Sequence, residues 1–400
     1  MNAPTNTAVG VVGAGPAGLA VANLLNRAGI DCVVLERHSR AHLEQRARAG
    51  MLEHRAVRML ERHGLADRLL ASAARHDTCE FRVEGRRFQV SYADLYGGRT
   101  HYVYPQQEVV KDLIGAFLDG GGDIRFEADD VALHDLTTDR PSLTWRDRES
   151  GRERRIACDF VAGCDGFHGV CRPSIPDGAV LEFVHQHGIN WLSILAEAPP
   201  STDCVIYALH QDGFAGHMLR SPTVSRYYLQ VPVGEDVANW PDERVWAELH
   251  KRLAVADGDW RLTEGKIVDK RVLDMRSHVT EPMRYGGLFL VGDAAHIVTP
   301  VGAKGMNLAL HDAEVLVDAF TAYYRDGDDT GLDGYSAACL RRVWRAQEFS
   351  QWMTFMLHSP GAGQGDSQTF LGRLAQARLD HLMTSPAYAA SFAENYVGVE

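Results

Sequence analysis

The sequence predicts an α/β fold in which a Rossmann-like nucleotide-binding domain is interleaved with a β-sheet domain and followed by a helical C-terminal region. Three observations carry that prediction. A glycine-rich strand–helix–strand signature opens the chain, strand-like texture dominates its middle from Trp191 to Val233, and long helical periodicity fills its last quarter. A strand-rich middle between two nucleotide-binding segments means domains that share the chain rather than follow one another.

The opening signature is Val9-Gly10-Val11-Val12-Gly13-Ala14-Gly15-Pro16-Ala17-Gly18. An apolar strand from Ala8 to Val12 runs into Gly13, where a tight turn is needed. Gly15 lets backbone approach a pyrophosphate, and Gly18 lets the next helix pack close to the strand. That helix begins near Pro16 and aims its free amides and positive dipole end at the same place. It stops at Ala28-Gly29, and a second apolar strand, Asp31 to Leu35, delivers Glu36 to accept ribose hydroxyls. This much suits FAD and NAD equally.

Further along, Met51 to Ala73 has helix-like spacing of Met59, Leu60, Leu65, Leu69 and Leu70. Short β-like pieces run from Cys79 to Val103, a helix is expected from Glu108 to Leu118, and Asp123 to Phe160 alternates as a small antiparallel sheet would. Strands are expected at Leu192 to Ala196, Val205 to Leu209, Tyr227 to Val231 and Leu288 to Val291. Helices are expected at Met306 to Tyr324 and Tyr335 to Leu357. The expected division is a discontinuous nucleotide-binding domain of residues 1–76, 100–180 and 270–320. A β-sheet substrate domain takes 77–99 and 181–269, and a helical interface region takes 321–400.

Two later motifs decide the nucleotide. The strand Phe160 to Gly163 ends in Cys164-Asp165-Gly166-Phe167-His168, where the carboxylate and glycine suit a turn at a cofactor, or an ordinary Asp-Gly turn. The strand Leu288 to Val291 ends in Gly292-Asp293-Ala294-Ala295-His296, running on through Pro300 to Gly302-Ala303-Lys304-Gly305-Met306-Asn307. Asp293 is placed to meet a polyol such as ribityl. Gly302 to Asn307 then open a helix whose N-terminal amides can hold the flavin pyrimidine oxygens and the charge of reduced flavin. A plain nicotinamide dehydrogenase has no use for these two motifs, so the three together predict non-covalent FAD.

Composition sets the outer bounds. Four hundred residues with 45% hydrophobic content suffice for two or three lobes with large cores. A net charge of -12 argues against nucleic acid or an anionic membrane as partner, and no apolar run is long enough to span a bilayer. The N-terminus, Met1 to Thr7, lacks the pattern of a signal peptide. Seven scattered cysteines contain no C-x-x-C, and the spacing of Cys158, Cys164 and Cys171 does not match zinc ligation. A cytoplasmic protein with reduced, packed thiols and no metal is expected.

From Val9 to Gly398 the chain resembles the single-component (class A) FAD-dependent aromatic hydroxylases, above all those acting on 4-hydroxybenzoate. The resemblance rests on the glycine motif and on Arg46-Ala47-Arg48-Ala49-Gly50, Ala162 to Gly169, Ser225-Arg226-Tyr227-Tyr228, Gly292 to Asn307 and Ala393 to Gly398. It implies that flavin, reduced by a nicotinamide, forms a C4a-hydroperoxide with O2 and hydroxylates a 4-hydroxyaromatic acid ortho to its phenol. Arg46, Arg48, Gln106, Asp165, Asp293, Lys304, Gly305, Met306 and Asn307 join Gly13, Gly15, Gly18 and Glu36 as expected FAD contacts. Arg226 resembles an arginine that helps control flavin movement. Tyr207 and Tyr396 match a tyrosine pair that draws off the substrate's phenolic proton, His76 the outer end of that relay, and Pro300 a proline whose carbonyl meets the substrate hydroxyl. A homodimer is the expected assembly.

Physical chemistry says why such groups are wanted. A phenol ionises near pH 10, while its phenolate is the far better nucleophile at the ortho carbon. Tyrosines and a histidine can move that proton without admitting bulk water. Arg220 and Tyr228 match two of three groups holding the substrate carboxylate. The third, a serine in the family, is Met218 here. The expected substrate is therefore a 4-hydroxybenzoate-like acid, with 4-hydroxybenzoate to 3,4-dihydroxybenzoate as the leading case. An amino- or dihydroxybenzoate, or a non-hydroxylating FAD oxidoreductase, is the alternative. His217, next to Met218, is expected to point away from the pocket. Arg37, His38 and Arg40 form a basic segment after Glu36, and His168 and Arg276 match residues implicated in holding nicotinamide phosphates. NADPH is the expected donor, with NADH the alternative and a solvated charge cluster the plainer reading of Arg37 and Arg40.

Overall fold

The computed structural model describes residues 6–46, 48, 50–83, 85–256, 258, 260–358 and 370–398. Ala47 and Ala49 of the basic loop and residues 1–5 of the N-terminal reading lie outside the described residues.

The fold is mixed α/β, with two eight-stranded sheets, a small three-stranded one and a helical C-terminal region. The first sheet centres on strand Asn6–Val12, which pairs in parallel with Glu153–Gly163 on one side and Cys32–Glu36 on the other. Leu288–Leu290 and Asp123–Phe126 extend it, both parallel. Helix Pro16–Arg27 packs on this sheet through Leu19, Val21, Ala22 and Leu25, all fully buried. The strands from Asp123 onward do not form a separate small sheet. Asp123–Phe126 joins the parallel sheet, and the meander Ala128–His134, Ser142–Asp147 is fused to it through Glu153–Gly163. Glu153–Gly163 is long enough to serve both, and its apolar end carries the second motif.

The second sheet runs His296–Ile297, Lys266–Glu281, Leu181–Glu197, Val224–Val231, Ala215–Ser221, Val205–Leu209, Thr78–Val83, Arg86–Ser91. Lys266–Glu281 has no counterpart in the sequence reading and straddles the expected boundary between residues 269 and 270. Its residues are mostly only partly buried, so it lacks a strong apolar pattern. It is held by a long antiparallel register with Leu181–Glu197. Helix Asp242–Arg252 covers one face of this sheet through Val245 and Leu249. The small sheet pairs Met51–Leu52 and Ala74–His76 with the two edges of His101–Val103. Helices Gly305–Asp326, Thr330–Leu357, Phe370–Thr384 and Pro386–Val397 complete the chain, and the last packs against the second sheet's apolar face.

Candidate active site

Register brings the three nucleotide motifs together. Val12 is paired with Gly163, and Gly163 with Leu290, so three adjacent parallel strands end at one level. The chain leaves them as Gly13, Cys164-Asp165 and Val291-Gly292-Asp293, at the carboxyl edge where such sheets bind ligands.

The glycines divide by what surrounds them. Gly13 has φ +99°, and a Cβ there would lie 2.6 Å from the Cys164 carbonyl oxygen. A Cβ on Gly18 would lie 1.9 Å from the Gly13 oxygen, which is the close helix–strand approach expected. Gly15 and Gly305 have no heavy atom within 4 Å of a built Cβ, so the space beside each is open. Both stand at helix N-termini, Gly15 before Pro16–Arg27 and Gly305 opening Gly305–Asp326. Asp293 is exposed at the rim of the same edge.

Glu36 is buried, and its carboxylate accepts from the amides of Ala14 and His38, each at 2.8 Å. Those bonds leave lone pairs on both oxygens for a ribose. Asp165 folds back on its own turn, accepting from Val170 N at 2.5 Å and Cys171 N at 2.9 Å, while its Oδ1 is buried without a hydrogen-bond partner among the described residues. Asn307 ties the helix start to the Met51 strand: its Oδ1 accepts from Glu53 N, and its Nδ2 donates to the Met51 and Ala303 carbonyls. Met306 is half-buried beside it. Lys304 turns inward, donating to Glu53 at 2.6 Å and to the Tyr396 carbonyl at 2.7 Å. Arg46 is pushed below its usual range by burial and then by the charges of Arg48, Arg37 and Arg271. Gln106 opens helix Gln106–Asp119.

The second sheet presents the other wall. Met218 pairs with Arg226, and Gly216 with Tyr228, so Met218, Arg226 and Tyr228 share one face of adjacent strands, and Arg220 follows at a shift of register between Leu219 and Ser221. His217 is on the opposite face against Tyr227, and accepts from Ser201 N, which is the outward placement expected of it. Arg226 is buried with a 3.3 Å bond from Nη1 to Ser193, and its Nε and Nη2 have no hydrogen-bond partner among the described residues. Such orphaned donors mark a place built for a group the protein itself does not supply. Arg220 donates to the Arg48 carbonyl at 2.6 Å and to Gln107 Oε1 at 2.8 Å. Tyr228 packs its ring 4.6 Å from that of Trp191, and Met218 is half-buried nearby.

Tyr207 and Tyr396 meet hydroxyl to hydroxyl at 2.9 Å, both about 1% exposed. Tyr207 also donates to the Val301 carbonyl at 3.4 Å, next to the exposed Pro300. Burial raises both phenols above their usual range. His76 is 4% exposed rather than at the surface, and the Asp203 backbone and carboxylate lie close enough to its ring to favour the charged form. It stands opposite His101 across the strand pair, and the His101 ring packs edge-on to that of Tyr396 at 4.9 Å. Burial lowers both imidazoles. His101 carried no sequence signal beyond its position in a short strand, and Gln107 was hidden behind Gln106.

The groups expected at the nicotinamide fall into two sets. His168 and Arg276 lie 3.4 Å apart, with Arg276 and Arg172 both stacked over Phe167. Arg37 donates to His38 and Arg40 pairs with Glu44. No hydrogen bond or ion pair among the described residues joins the two sets.

Residues 6–350 match the family model described as an FAD binding domain. A p-hydroxybenzoate hydroxylase of Acinetobacter baylyi is 42% identical over 98% of this chain and 95% of its own. The chain belongs to the class A FAD-dependent aromatic hydroxylases. Among solved structures, p-nitrophenol 4-monooxygenase from Pseudomonas putida superimposes with a TM-score of 0.82 at 21% identity, each chain covered in full. An aklavinone-11 hydroxylase solved with FAD and aklavinone gives 0.75 at 21% identity, covering 92% of this chain and 72% of the other. At that identity these two show the fold. As in its family, this hydroxylase uses FAD, and the open space at Gly15 and Gly305 with the orphaned Arg226 donors fits that cofactor. No helix among the described residues is long and apolar enough to cross a membrane.

Proposed function

We propose that this hydroxylase acts on a 4-hydroxyaromatic acid, adding oxygen ortho to the phenol, with 4-hydroxybenzoate to 3,4-dihydroxybenzoate as the leading reaction and NADPH as reductant. The observation that carries the proposal is the sealed Tyr207–Tyr396 hydroxyl pair. FAD, reduced by the nicotinamide, supplies the activated oxygen. Every other task falls to this chain.

Tyr207 receives the substrate's phenolic proton while passing its own to Tyr396. Because burial disfavours both phenolates, neither tyrosine stores charge, and the hand-off is concerted. Each buried neutral imidazole, His101 and His76, has one donor and one acceptor nitrogen, the equipment for continuing the transfer outward. The Pro300–Val301 turn borders the hydroxyl end, and Arg220 with Tyr228 holds the carboxylate end. Arg226, Asp293, Glu36 and the amides from Gly305 to Asn307 hold the flavin, and His168 with Arg276 takes the nicotinamide phosphates.

A second reading has a specific observation behind it. Met218 offers an apolar thioether where a hydroxyl donor is expected, which favours an amino- or dihydroxybenzoate, or another ring substituent at that wall. A panel of substituted benzoates separates the two, with NADPH oxidation and hydroxylated product measured together. Product with 4-hydroxybenzoate at near-stoichiometric coupling supports the first reading. NADPH consumption without product there, and coupled product with another ring, supports the second. No oxygen uptake with any aromatic acid overturns both.

A further inference from the structure

The carboxylate end of the pocket is one donor short, because Met218 cannot donate. Arg220 shows that the site is nonetheless built for an anion. It is nine-tenths buried, yet its two hydrogen bonds go to neutral acceptors, the Arg48 carbonyl and the Gln107 side-chain oxygen. It forms no ion pair among the described residues. Glu108, the nearby carboxylate, is engaged by Arg68 and Lys111. Burial and the charge of Arg226 lower Arg220 to about 10, so it remains a cation at neutral pH. A buried cation whose bonded partners are all neutral favours a negatively charged ligand.

Gln107 is the second residue of helix Gln106–Asp119 and is half-buried. A guanidinium only donates, so the Gln107 amide has one permitted orientation, with its oxygen towards Arg220. The amide nitrogen, one bond angle away, makes no hydrogen bond to another described residue. It therefore lies beside Arg220 with both N–H groups available.

We infer that Gln107 is a specificity-determining residue of this site, whose carboxamide oxygen orients Arg220 and whose N–H groups give the substrate carboxylate the donor that Met218 lacks. The inference rests on the proposed 4-hydroxyaromatic-acid reading. It accounts for how a carboxylate pocket tolerates a methionine in its wall.

The test uses the FAD-loaded enzyme, with dissociation constants read from flavin absorbance for 4-hydroxybenzoate and its neutral analogue 4-hydroxybenzamide. Gln107→Leu is expected to weaken the acid about tenfold, one hydrogen bond to a charged group, and to leave the amide nearly unchanged. Met218→Ser is expected to tighten the acid more in the Gln107→Leu background than in the parent, because either donor can fill the same vacancy. Unchanged acid binding in Gln107→Leu overturns the inference, as does equal weakening of acid and amide, which is the signature of lost packing alone. Arg220→Leu keeps the two levels apart. If it weakens the acid while Gln107→Leu does not, only the role of Gln107 fails. If neither matters, or the parent does not bind the acid, the carboxylate anchor itself fails.

Discussion

At the scale of single residues, chemistry depends on groups whose neighbours leave them few alternatives. In the proposed reaction Tyr207 takes the substrate's phenolic proton and passes its own to Tyr396, whose hydroxyl lies 2.9 Å away. Tyr207→Phe is expected to keep the parent rate of flavin reduction and to lower hydroxylation on the order of a hundredfold, because the phenolic proton loses its exit. Stopped-flow reduction and product per reductant consumed measure the two effects. Parent-rate hydroxylation with parent coupling would remove the relay from the mechanism. Met218 sits on the same sheet face as Arg226 and tests what the pocket holds. With 4-hydroxybenzoate, Met218→Ser is expected to raise affinity by up to about tenfold where Gln107 has been replaced by leucine, one recovered bond to a charged group, and by less in the parent. For a ring with an apolar substituent there, the same change weakens binding, and no change with any acid in either background means that Met218 does not face the ligand. The tyrosine pair was legible in the sequence through family likeness, Tyr396 within the stretch Ala393 to Gly398 and Tyr207 on the expected strand Val205 to Leu209. His101 and Gln107 were not, because a residue's neighbour across a strand pair or in the next helix leaves no mark in local spacing.

Elements position these residues, and the glycine turns show how much of that is written in the chain. Gly13 and Gly15 belong to one motif but serve different ends. Gly13 adopts φ +99° with the Cys164 carbonyl against it, so Gly13→Ala is expected to lower the melting temperature of the apoprotein, with about 1–3 kcal/mol of backbone strain before the clash is counted. Gly15 has ordinary dihedrals and open space, so Gly15→Ala should leave apoprotein melting near the parent value and weaken FAD binding instead. Equal apoprotein melting for both variants would contradict this division. A second device was invisible beforehand. Asp312, on helix Gly305–Asp326, accepts from Gly292 N at 3.0 Å and pairs with His296 at 2.7 Å, both side chains buried, which pins the turn carrying Asp293. His296 is raised, chiefly by the Asp312 charge acting against burial, so its contribution is complete below the unfolded histidine pKa and is lost as pH climbs through the raised value. Asp312 is lowered by His296, so its contribution is present above the unfolded carboxylate pKa and is lost as pH falls through the lowered one. Asp312→Asn is expected to destabilise by about 3–5 kcal/mol between those limits and to flatten the pH dependence of melting on both sides. An unaltered melting profile from acid to alkaline pH would exclude the pair as an anchor. Motif-bearing strands were readable because apolar runs and glycines encode backbone directly. Lys266–Glu281 was not, since a half-buried strand is specified by the partner it pairs with.

The whole molecule is organised around a cofactor site assembled from distant parts of the chain. Gly13 to Gly18, Asp165 and Gly292 to Asn307 meet only because Asn6–Val12, Glu153–Gly163 and Leu288–Leu290 pair in one register. Between those strands the chain leaves to build the second sheet and returns. An FAD bound there touches the folded state alone, and linkage then makes the cofactor a stabiliser of the entire fold. At a free concentration of about 100 times its dissociation constant, FAD should add about 2.7 kcal/mol. For a chain of this size that corresponds to a rise in melting temperature of a few degrees, growing with FAD concentration. The protein should purify yellow, release intact FAD on denaturation, as expected of a cofactor held without a covalent bond, and melt lower once stripped. Calorimetry of stripped protein across an FAD titration measures the shift. A melting temperature indifferent to FAD, in a protein that remains colourless after incubation with it, would break the link between strand register and cofactor on which the site depends.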